Sequence, residues 1–87
     1  MEVQAAAISL AGNNLVVVLV GMDLLEAHGE ADMTIDSLNN SFGGATVVLM
    51  AQREDGSPVY YGDDEFVHLL RDVPVEKMPW KEYPVSV

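Results

Sequence analysis

The chain has 87 residues, no cysteine, and fourteen acids against four lysines and arginines, for a formal net charge of −10. A chain of this length holds one domain and one core, and buries only about 60–65% of the surface its unfolded form exposes, so association would add stability. The missing cysteines exclude disulfides, thiolate metal centres and cysteine nucleophiles, and the acidity opposes direct binding to nucleic acid or anionic membranes while favouring basic partners.

The opening stretch MEVQAAAISLAGNN lacks the positive n-region of a secretory signal. No apolar run approaches the ~20 residues of a membrane span. The expectation is a cytoplasmic protein with no membrane contact and no cofactor.

Residues 1–22 read as a β-hairpin in which an alanine-rich strand turns at Ala11-Gly12-Asn13-Asn14 into Leu15 to Val20, LVVVLV. That run and Thr46 to Ala51, TVVLMA, are short, apolar and rich in β-branched residues. Such segments suit strands buried on both faces, and the two are expected side by side at the centre of one sheet.

Between them, Gly21 to Gly29 reads either as a short helix capped by Asp23 and ended at Gly29, or as the strand continuing outward and bending at Gly29. Glu30 to Leu38 alternates, with Ala31, Met33 and Ile35 on one side and Glu30, Asp32, Thr34 and Asp36 on the other, the period of a half-exposed strand with an acidic wet face. A helix over Thr34 to Phe42 competes, because Ile35, Leu38 and Phe42 stand at helical spacing. Asn39-Asn40-Ser41 and Gly43-Gly44 mark a loop; the formal glycosylation sequon there is a chance match without a secretory signal.

After the second inner strand, Glu54-Asp55-Gly56-Ser57-Pro58 forms a turn leading into a return strand at Val59-Tyr60-Tyr61. The main helix is expected over Asp63 to Val73. Asp63 caps it, Asp64 and Glu65 complement its dipole, and Phe66, Val67, Leu69, Leu70 and Val73 form its inner face before Pro74 stops it. Residues 74–87 carry three prolines with Met78, Trp80 and Tyr83, and read as an extended tail.

These elements define a single α+β domain over 1–87: a small antiparallel sheet of about five strands with the Asp63 to Val73 helix on one face. His28, Glu30 and Asp32 could share one side of a continuous strand and hold a metal, although a solvated acidic edge explains them as well. Asp63, Asp64 and Glu65 are accounted for by the helix start. His68 reads as a boundary residue of that helix, and no serine has the G-x-S-x-G setting of a nucleophile.

Interaction residues are expected at Met78, Trp80 and Tyr83 of the tail and at Tyr60 and Tyr61, because aromatic side chains on a stiff segment suit partner contacts; Trp80 could equally cover the protein's own core. Three functions follow. The first is a non-enzymatic interaction module, a homodimer using apolar surface and the Trp80 segment. The second is an acidic inhibitor that mimics nucleic acid towards a basic protein. The third is a small ligand-binding domain or enzyme with a pocket between helix and sheet near Tyr60, Tyr61 and His68.

Overall fold

The computed structural model describes residues 2–84, the His28 side chain excepted. β1 (Glu2–Leu10) and β2 (Asn13–Leu19) form the expected hairpin, paired from Ala5↔Val18 to Leu10↔Asn13. Its two-residue turn places both Ala11 (φ 49) and Gly12 (φ 79) at positive φ, the turn type whose twist matches that of paired strands. Gly12 accepts this conformation freely; Ala11 does not.

The two inner strands do lie side by side. β2 and β3 (Thr46–Gln52) pair from Leu15↔Thr46 to Leu19↔Met50, and they run parallel. The sheet is therefore mixed, with the other three strand pairs antiparallel. A parallel pair needs a crossover of a dozen or more residues, and α1 (Met22–Glu26) and α2 (His28–Ser41) supply it. This replaces the strand expected over Glu30 to Leu38. The stripe that decides the outcome is Ala31, Ile35, Leu38 and Phe42: the first and third are buried, and the other two pack against the same cluster. Met33 only mimicked a period of two.

β4 (Pro58–Tyr61) returns antiparallel to β3 through a turn in which the Asp55 carboxylate accepts hydrogen bonds from the Ser57 N–H (2.9 Å) and hydroxyl (2.7 Å). The main helix, α3, spans Asp64–Leu70, and the Asp63 side chain accepts from the Glu65 N–H at 3.0 Å, as a cap should. A single 3-10 turn at Val75–Lys77 follows.

The segment expected to be a tail is built into the sheet. β5 (Trp80–Pro84) pairs antiparallel with β1, from Glu2↔Pro84 to Ala6↔Trp80, completing the order β4-β3-β2-β1-β5. Its prolines are accommodated by position: Pro74 caps the 3-10 turn, Pro79 precedes the strand and Pro84 ends it at the sheet edge, where a missing N–H is tolerated. Residues 85–87 of the expected tail lie outside the described residues.

The sheet is covered on both faces rather than one. Val16, Val18, Val47, Leu49 and Ala51 point towards α1 and α2, where Leu25, Ala31 and Leu38 meet them. Val17, Val48 and Met50 point the other way, to Leu70 of α3 and to Met78. Alternation along β2 and β3 thus feeds two cores, which is why both strands are apolar without interruption. No polar or charged residue among those described is buried.

Candidate functional site

Two surfaces stand out once the layers are in place. The first is the outer side of α1 and α2. Asp23, Glu26, Glu30, Asp32 and Asp36 are all exposed there, and no lysine or arginine occurs before Arg53. In the middle of this acidic surface stands Met33, the one large hydrophobic residue among those described that lies in water, at 71% exposure. Beside it, a shallow hollow of about 350 Å³ is lined by Leu24, Glu30, Met33, Thr34 and Ser37. The Thr34 hydroxyl is turned back on the helix, donating to the Glu30 carbonyl at 2.8 Å, so the hollow is less polar than its sequence suggests.

Asp32 is also tied to the sheet. The Tyr61 hydroxyl donates to its carboxylate at 2.8 Å, linking β4 to α2 across 29 residues of sequence. That bond, with burial and the carboxylate's charge, pushes the Tyr61 phenol above its ordinary range, because ionising it would place an anion against an anion.

The second surface is on the opposite face, where Arg53, Pro58, Val59, Tyr60, Val67 and Arg71 enclose a cleft of about 370 Å³ between the β3–β4 hairpin and α3. The Tyr60 hydroxyl oxygen is shut off from solvent and has no hydrogen-bond partner among the described residues. Burial pushes its phenol upward as well.

The expected interaction residues are dispersed. Met78 is 5% exposed and belongs to the α3-side core. Trp80 packs against that core, and its ring N–H donates to the Val75 carbonyl at 2.9 Å. Tyr83 stands on the other face, its ring edge-to-face with Phe42 at 5.4 Å. Tyr60 and Tyr61, adjacent on β4, face opposite cores. Of the three residues expected around a pocket between helix and sheet, Tyr60 lines the cleft, while Tyr61 and the exposed His68 lie outside its walls.

The metal arrangement proposed for His28, Glu30 and Asp32 required a strand. On α2, position 30 falls about 200° around the helix from position 28, so the shared strand side on which that reading rested does not exist. Among the described residues no group of three or more histidines and acids is placed to hold a metal ion. Asp63, Asp64 and Glu65 serve the start of α3 as expected.

Sequence reasoning missed Met33, assigning it an inward strand position, and passed over Arg53 and Arg71. Scarcity was the available signal for the arginines, since two of only four cations flank the one turn–strand–helix unit. No helix among the described residues is long and apolar enough to cross a membrane. The chain matches no protein-family profile, no curated protein and no solved structure in the comparisons made.

Proposed function

We propose that the protein is a non-enzymatic interaction module that docks a basic protein on the outer face of α2, with Met33 as the apolar anchor and the surrounding acids as its rim. The observation that carries this reading is Met33 itself, 71% exposed in a chain whose other large apolar side chains are at least partly covered among the described residues. Covering a side chain of this size contributes about 1.5–3 kcal/mol. Anchors of this kind, surrounded by polar groups that exclude water once the partner is seated, carry most of the energy of small interfaces. Glu30, Asp32 and Asp36 then select the partner by sign and steer its approach.

Two observations favour a basic partner over a second copy. Two α1–α2 faces brought together would oppose five acids to five with no lysine or arginine between them. The exposed edge strand β5 is no better suited to self-pairing, because a fully overlapping antiparallel match sets Glu82 opposite its own copy, and like charges directly opposite are destabilising.

The test is affinity capture from cell extract with the native chain and with Met33→Gln, followed by calorimetric titration of the retained protein. The expected result is a basic protein held by the native chain, weakened about 10- to 100-fold by Met33→Gln and further weakened by salt. An acidic or neutral partner, or an affinity indifferent to Met33, would refute the reading. In light scattering the isolated chain is expected to be a monomer at all concentrations.

A further inference from the structure

We propose that the cleft between α3 and the β3–β4 hairpin binds a small organic oxyanion, with Arg53 and Arg71 gripping its anionic head and the Tyr60 hydroxyl donating to it. The first argument is the placement of charge. The chain has four lysines and arginines among fourteen acids, yet two of the four line this one cleft and none of the acids does. Among the described residues no hydrogen bond or ion pair engages either guanidinium. Asp55 attracts the Arg53 guanidinium through space without bonding to it, and one of its oxygens already accepts from both the Ser57 N–H and hydroxyl. Two guanidinium forks free of hydrogen bonds, side by side in a molecule this acidic, form a place where an anion is drawn towards the surface instead of repelled.

The second argument is Tyr60. Its hydroxyl is closed to solvent and unpartnered, and a buried polar group in that state costs about 1–3 kcal/mol. The atoms covering this hydroxyl must part as a ligand enters the cleft; a ligand oxygen that reaches it relieves that cost while accepting from the arginines, so three donors converge on one acceptor group. The remaining wall is apolar, from Pro58, Val59 and Val67, and suits a hydrocarbon or aromatic body behind the charged head. A volume of about 370 Å³ falls at the small end of the range for ligand sites. The adjoining hollow shares Pro58 and Arg71 but includes Glu76, which leaves the anion's place on the Arg53 and Tyr60 side.

The test is an NMR titration of the full chain with benzoate and phenyl phosphate, with inorganic phosphate and neutral benzamide as comparison arms. The two organic anions are expected to shift the Val67 methyls, the Tyr60 ring and the Arg71 side-chain N–H saturably. Arg71→Gln, an exposed substitution, is expected to weaken binding at least ten-fold, and Tyr60→Phe several-fold with the fold intact. Binding of benzamide as tight as benzoate, affinities unmoved by Arg71→Gln, or no saturable shift at probe concentrations on the order of 10 mM would overturn the proposal. Inorganic phosphate binding as tightly as phenyl phosphate would overturn the part assigned to the apolar wall.

Discussion

Replacing Leu70 by alanine tests how the α3 layer is held. Leu70 is 0% exposed and is the one fully buried side chain that α3 contributes to the second core, whose other buried members among the described residues are Ala6, Val17, Val48, Met50 and Met78. Truncating a buried leucine costs its transfer energy plus a cavity term, about 2.7–5 kcal/mol. A domain of this size has a total stability of about 4–13 kcal/mol, so Leu70→Ala is expected to remove about a fifth or more of it. The melting temperature should fall by about 12–24 °C for a loss of 3 kcal/mol. The control is Leu69→Ala: this neighbour is only half-buried and stands outside the packed cluster, and its loss should cost less than about 1 kcal/mol. Urea unfolding followed by Trp80 fluorescence is the assay, because the indole packs on the same core. Equal losses for the two leucines, or a larger one for Leu69, would show that α3 presents a different face to the sheet.

Three further outcomes follow from local geometry. Ala11 occupies positive φ in the β1–β2 turn, so Ala11→Gly should raise stability by about 0.5–1 kcal/mol in thermal unfolding, and no gain would show that the turn adopts another form. Asp63→Ala removes the side-chain cap on the Glu65 N–H and should lower stability by about 1 kcal/mol, with Asp63→Asn recovering most of it. The phenols of Tyr60 and Tyr61 are both pushed above their usual range; their folded-state advantage is fully present below about pH 10 and is lost as pH rises through the shifted values. The native chain should therefore lose stability above pH 10, and Tyr60→Phe with Tyr61→Phe should flatten that alkaline decline, measured by urea titration at each pH.

The parts of the fold that could be read from the sequence were those with one dominant local cause. LVVVLV and TVVLMA are apolar without interruption because each strand feeds two cores, and the Asp63 cap is a one-residue signal satisfied within its own turn. The direction of the β2–β3 pair was not legible because it depends on what joins the strands, and the joining segment carried two patterns at once. Ala31, Met33 and Ile35 fit a strand, while Ala31, Ile35, Leu38 and Phe42 fit a helix; only the sheet partner available to β2 decides between them. The 74–87 segment is extended as its prolines suggest, but its pairing in the sheet was not legible for a related reason. Proline excludes central strands, but β5 is an edge strand, and edge position is a property of the assembled sheet. The cleft was partly legible: Tyr60 was expected at a pocket between helix and sheet, while Arg53 and Arg71 are 18 positions apart and meet only through the hairpin and α3.

The layers also sort the charge. With no polar or charged residue buried among those described, every charge sits at the surface, and the α1–α2 layer carries five acids without a lysine or arginine. Asp32 and Asp36 stand four apart on α2, a like-charge spacing that weakens an isolated helix by about 0.2–0.5 kcal/mol, so α2 is held by packing of Ala31, Ile35 and Leu38 rather than by its own propensity. Screening this repulsion should make the fold more stable as salt rises towards the ~10 Å Debye length of 0.1 M. The same screening weakens attraction of a basic protein to α2 and of an anion to Arg53 and Arg71. Fold stability and both binding events should therefore move in opposite directions with ionic strength. A chain whose stability and affinities fell together would carry its charges in an arrangement other than this segregated one.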